Sequence, residues 1–225
     1  MTRAGRHMCV ISMIKTMILG VSAAVLISFG TAAAAPVFLE GLEYGAAKES
    51  VASRPGALKG EEAFQNEVFF KSMPWAGFAW SAQCSFKDGK LAGVALYSAY
   101  SRELLDHVTS FLKAQRFQML GMIVDDKALD MVSLVKLGGI EAFQKRYREL
   151  VSARVPEKIS YNWFDSRKIN DDQMSVSASL SQLLALVDRE ILQVDVVQSA
   201  SGEKLENPML SVHFSFPVLD EAGSK

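Results

Sequence analysis

From Phe78 to Phe86 the chain reads Phe-Ala-Trp-Ser-Ala-Gln-Cys-Ser-Phe, with large or apolar residues alternating with small or polar ones. That two-residue period predicts a half-buried strand with Phe78, Trp80, Ala82, Cys84 and Phe86 on its core face. A second strand, Leu91–Tyr97, follows the turn residues Lys87-Asp88-Gly89. Two hairpin registers compete. A two-residue Asp88-Gly89 turn sets Phe86 opposite Leu91 but sends Val94 and Leu96 to the polar side. A three-residue loop with a left-handed Gly89 and a bulge keeps one apolar face, and on that ground it is the expected register.

Helical periodicity takes over after Ser101, a natural N-cap, with Leu104, Leu105, Val108, Phe111 and Leu112 on one stripe up to about Lys113. Phe117–Val124 reads as a strand. Asp125-Asp126 is expected to cap a helix over Lys127–Leu137. Gly138-Gly139 interrupts that helix before a second one carrying Ile140, Phe143, Tyr147 and Val151. Ile159–Phe164 reads as a strand, Asp165–Gln173 as a loop and Leu180–Val187 as a helix. Two closing strands, Glu190–Val197 and Met209–Phe216, alternate again, the second with Ser211, His213 and Ser215 on its outer face. Earlier, a short helix is expected near Ala46–Ala52, then helix passing into strand over Phe64–Phe70. The tail from Glu221 is expected to fray. Strands and helices intermingle without glycine-rich strand-to-helix turns, so the fold class is α+β, a largely antiparallel sheet with helices packed on one face.

The first 34 residues follow a different logic. Arg3, Arg6 and Lys15 precede the apolar run Met17–Ile27, which ends in small residues and the sequence Ala32-Ala33-Ala34-Ala35-Pro36. Basic, apolar and small-residue regions in that order describe a secretory signal peptide cleaved after Ala34. The run is shorter than the roughly 20 apolar residues of a membrane span and is broken by Ser22. The expected protein is therefore periplasmic or secreted, touching a membrane only if the leader stays uncleaved. About 190 residues remain as one α+β domain, divisible into subdomains 36–100 and 101–217. Loss of three basic residues and no acidic ones moves the formal net charge from −1 to about −4, which argues against a nucleic-acid partner. Cys84 is then the single cysteine and cannot form an intrachain disulfide.

Chemistry is sparse. His107 and His213 stand apart from one another and from any ligand at metal-binding spacing, and no nucleophile elbow or phosphate-binding loop is present. No catalytic, cofactor or metal residue is therefore expected. Asp125-Asp126 with Asp130, and Asp171-Asp172, lack the ligand order of a calcium loop and read as caps. Lys145, Arg146 and Arg148 form a solvated helix face. The aromatic-rich stretch Val68–Trp75 reads as core packing, with a contact surface as its alternative. Phe69, Phe70, Trp75 and Trp163 are the candidate residues for that surface, facing a protein or a small apolar ligand.

Leu42-Glu43-Tyr44-Gly45, Lys48-Glu49-Ser50-Val51 and the run Trp75–Phe86 closing on Phe86-Lys87-Asp88-Gly89-Lys90-Leu91 together resemble the small modules of β-lactamase-inhibitor-like and outer-membrane-assembly lipoprotein families. That resemblance covers residues 42–98 and implies a non-catalytic, protein-binding envelope protein. The leading expectation is an exported binding or interaction module. The alternative is an envelope hydrolase assembled from Asp125, Asp165 and Asp195 with a tyrosine.

Overall fold

The computed structural model describes residues 35–39, 41–58, 66–153, 155–199 and 208–222, all within the unit Ala35–Lys225. The expected leader lies outside the described residues. Strands β1 (Val37–Leu39) and β2 (Leu42–Glu43) pair with each other, and helix α1 (Lys48–Ala52) follows. The main sheet contains β3 (Ala57–Leu58), β4 (Glu67–Trp75), β5 (Phe78–Lys87), β6 (Lys90–Ala99), β7 (Phe117–Val124), β8 (Lys127–Asp130), β9 (Lys158–Asp165), β10 (Gln193–Ser199) and β11 (Met209–Ser215). Its order is β3-β4-β5-β6-β11-β10-β9-β7-β8, every pairing antiparallel. The remaining helices are α2 (Arg102–Ala114), α3 (Met131–Ala153), α4 (Asp171–Val176), α5 (Leu180–Leu186) and α6 (Pro217–Ala222). The α+β class with a large antiparallel sheet is what the alternation pattern predicts.

One face of the sheet holds the core. Trp80, Ala82 and Cys84 of β5, Val94 and Leu96 of β6, Leu210, Val212 and Phe214 of β11 and Val194 and Val196 of β10 are all buried there. Helix α2 covers them with Leu104, Leu105, Val108 and Leu112, and its Ser101 hydroxyl accepts the Leu104 N–H at 3.1 Å. Burial pushes the Cys84 thiol up to about 12, so it stays protonated and behaves as a small apolar side chain. Part of the sheet is covered on both faces. Trp163 belongs to the core under α2, while its neighbour Phe164 faces the other way and packs with Leu183 and Val187 around α5.

Several local expectations are corrected. The β5–β6 hairpin uses the two-residue turn Asp88-Gly89, both residues at positive φ (52° and 72°), with Phe86 opposite Leu91. The register then shifts between Ser85 and Phe86, so that Cys84 faces Val94 and Ala82 faces Leu96. A type I′ pair of φ angles suits the strand twist, and the irregularity beside it restores the single apolar face. Lys127–Asp130 is strand rather than helix, because Asp125 takes a left-handed turn at φ 56° and returns the chain along β7. The capping role passes to Asp130, whose Oδ1 accepts the Ser133 N–H at 3.1 Å while Oδ2 accepts the Leu180 N–H at 2.8 Å. One carboxylate thus serves the first turns of both α3 and α5.

Gly138 and Gly139 break α3 as expected, Gly139 at φ 68°. In place of an uninterrupted loop over 165–173 there are a short 3-10 turn at Ser166–Lys168 and the start of α4. Asn170 and Gln173 form a reciprocal capping box there, a signal already present in the sequence. Phe64 and its neighbours to Gln65 lie outside the described residues, and from Glu67 onward the stretch is strand through to Trp75. Helix α6 continues to Ala222, past the point where fraying is expected.

Asp130→Ala is expected to lower unfolding stability by about 1–3 kcal/mol, since the α3 cap and the hydrogen bond to the first N–H of α5, a helix capped by Ser179, are lost together. Urea titration measures this, and a loss below about 0.5 kcal/mol would show that the shared cap contributes nothing.

Candidate functional site

The sheet face opposite α2 is polar at its centre. A lateral row of paired positions crosses six strands there: Gln83 of β5, Ala95 of β6, His213 of β11, Asp195 of β10, Asn162 of β9 and Gly121 of β7. The adjoining row carries Ser81, Tyr97, Ser211, Val197, Ser160 and Ile123. Small residues between the polar ones leave a hollow of roughly 570 Å³, with Asp125 and Lys158 at its margin. That volume lies within the ordinary range of small-molecule sites.

The side chains in the hollow bond mainly to one another. Asn162 Nδ2 donates to Asp195 Oδ1 at 2.6 Å, and Gln193 Nε2 donates to the two carboxylate oxygens at 2.8 and 2.9 Å. The Tyr97 hydroxyl donates to Gln83 Oε1 at 2.9 Å, and Gln83 Nε2 donates to Glu67 Oε1 at 2.6 Å. Glu67 accepts only, so it fixes which end of the Gln83 amide meets Tyr97. Ser211 Oγ and His213 Nε2 lie 2.8 Å apart, and the Tyr97 and His213 rings meet edge to face with centroids 6.0 Å apart.

Burial dominates the titration of this group. It holds the His213 imidazole below its ordinary range, with Asp195 pulling the other way and Lys158 reinforcing the shift. Burial, assisted by Glu67, raises the Tyr97 phenol. At neutral pH the hollow therefore presents a neutral imidazole and a protonated phenol, with Asp125, Asp195 and Lys158 around them.

The expected aromatic surface is dispersed. Phe70 and Trp163 are buried in the core. Trp75 is half-buried in an aromatic cluster with Trp80, Phe111 and Phe214 at centroid distances of 5.8, 5.3 and 5.4 Å. Phe69 pairs with Gln83 and so lies on the opposite face from Phe70. These four residues share no common surface.

Of the carboxylates of the hydrolase alternative, Asp125 and Asp195 line the hollow together with Tyr97. Asp165 does not. It bonds Arg167 through both oxygens at 2.7 Å and caps the 3-10 turn. His107 is structural, since its Nε2 lies 2.8 Å from the Ala76 carbonyl oxygen and its ring packs on Phe78. No group of three metal-ligating side chains occurs among the described residues. Gln83, Asn162, Gln193 and Ser211 escape a reading of sequence alone because only strand pairing brings them together. The polar side of each alternating strand is the one signal that marks them.

Comparison with known proteins finds no matching family model, no matching curated protein and no matching solved structure.

The lowered His213 pKa makes stability depend on pH. Below the ordinary imidazole pKa of about 6.5 the unfolded chain takes up a proton that the folded chain refuses, so folding stability falls as pH drops. The stability advantage of the native protein over His213→Gln should therefore shrink between pH 7.5 and pH 5.5 in paired urea titrations. A constant difference would contradict the buried neutral imidazole.

Proposed function

We propose that this protein is an exported, non-catalytic binding protein that takes a small neutral, polyhydroxylated ligand of the sugar class into the polar hollow. The observation that carries this reading is the row Gln83, His213, Asp195, Asn162 with Tyr97 above it. It presents planar amide and carboxylate groups, donors and acceptors both, beside the Tyr97 and His213 rings. Vicinal hydroxyls match such groups because each hydroxyl donates and accepts at once. Asp125 and Asp195 outnumber Lys158, which disfavours an anionic ligand. Export rests on the layout of residues 1–34, and the resemblance of residues 42–98 to non-catalytic envelope modules points the same way.

Calorimetric titration with glucose, maltose and methyl β-D-glucopyranoside tests the binding reading. Saturable binding of at least one is expected, weakened about tenfold by Asn162→Ala or Tyr97→Phe, the loss of about one net hydrogen bond. Absence of binding by all three would remove the sugar assignment. Mass spectrometry of the exported protein tests the address: an N-terminus at Ala35 is expected, and a retained Met1 would overturn it.

A hydrolase reading is favoured by one observation, the 2.8 Å approach of Ser211 Oγ to His213 Nε2 with Asp195 on the paired position of β10. Acyl transfer also needs free donors for the oxyanion. Strand β11 lies between β6 and β10, and its backbone N–H groups are committed to those two ladders. Asp195 is occupied by Asn162 and Gln193. Labelling of Ser211 by a fluorophosphonate would favour the hydrolase over the binding protein.

A further inference from the structure

A second hollow of roughly 890 Å³ adjoins the polar one, and Ile123 and Asn162 line both. Its walls are more apolar, with Leu129 of β8, Leu180, Leu184 and Ala185 of α5, and Val187 and Val218 beyond it, while Asp130, Ser181 and Arg189 also line it. Gly121, next to Asn162 in the lateral row, sits at this junction. A Cβ there would come within 3.1 Å of Asn162 Oδ1 and 3.2 Å of Leu180 Cδ2, so a side chain at 121 would press on both walls. Ile123 is one of the large apolar side chains left exposed, at 38 %. It provides apolar surface at the point where the polar hollow gives way to the apolar one.

We infer that the ligand is amphipathic, its polar head on Asp195, Asn162 and Tyr97 and an apolar chain running past Ile123 into the hollow beneath α5. This inference rests on the polar-head reading above. The argument is continuity. An apolar hollow open to water gains by being filled, and the molecule best placed to fill it is one already anchored at Asn162, whose second part enters without a second loss of translational freedom. A free hydrocarbon would lack the anchor, and a purely polar ligand would leave the hollow wet. Asn162 marks the boundary, with its amide held by Asp195 on the polar side and Gly121 next to it on the side of the second hollow.

Paired calorimetric titrations with methyl and octyl β-D-glucopyranoside, both below the micellar concentration of the octyl compound, test this on the full exported chain. The octyl glycoside is expected to bind at least about tenfold more tightly than the methyl glycoside. Ala185→Trp, at an exposed position lining the apolar hollow, should abolish that advantage and leave methyl glycoside affinity unchanged. Equal affinities for the two glycosides overturn the amphipathic ligand while leaving the polar site intact. An octyl advantage that survives Ala185→Trp places the chain elsewhere and also overturns it. Failure of both glycosides to bind removes the polar-head reading and this inference with it.

Discussion

The insertion of β11 between β6 and β10 is the pairing on which the rest of this structure depends. The β3–β6 strands and the β7–β10 strands are each contiguous in sequence and antiparallel. Only β11, the last strand in the chain, joins them into one sheet. It supplies Leu210, Val212 and Phe214 to the core under α2 and Ser211 and His213 to the opposite face. Residues 36–100 and 101–217 therefore contribute to one sheet and share the core under α2. The connection is long-range, so its loop-closure entropy must be met before its contacts form. The final insertion is expected to be the late and costly step of assembly.

Alternation then decides the character of each face. A strand in the middle of a sheet has no spare backbone groups, so whatever it offers a ligand comes from side chains alone. On the core side these are apolar and close-packed. On the other side they are Gln83, His213, Asp195 and Asn162, interleaved with Ala95 and Gly121. The small residues make the hollow and the polar ones line it. Helix α5 covers only the end of this face near Phe164, and Asp130 ties it to α3 by capping α3 while accepting the Leu180 N–H of α5.

Much of the fold is legible in the sequence because it follows from local periodicity. The strands β5, β7, β9 and β11, the α2 stripe with its Ser101 cap and the glycine break in α3 all follow from patterns of 2 or 3.6 residues. The errors arise where two local signals compete. Asp125-Asp126 and Asp130 are both credible caps, and the left-handed turn at Asp125, which selects a hairpin, leaves Asp130 as the cap in use. Asn170 and Gln173 carry a capping box inside a polar run that otherwise looks like loop. The candidate site is legible only in half. Alternation assigns His213, Ser211 and Gln83 to polar faces. Their convergence with Asp195 and Asn162 depends on strand order, which connects residues from 16 to 112 positions apart and leaves no local trace.

Under the proposed function, the self-satisfaction of the polar row has a consequence for how a ligand would bind. Asp195 accepts three hydrogen bonds and Tyr97 and Gln83 are paired in series, so an incoming ligand must replace internal bonds rather than fill vacant ones. Exchange of one hydrogen bond for another yields about 0.5–1.5 kcal/mol at most, whereas stranding a buried partner costs more than that. Such a site therefore discriminates sharply between ligands that reproduce its pattern and those that do not, while giving only modest affinity for the head it recognises. Strong retention has to come from somewhere else, and the surface on this face with free energy still to contribute is the apolar wall beneath α5. Under the proposed function, recognition and retention would fall to different chemistries on adjacent parts of one sheet, with Asn162 lining both hollows.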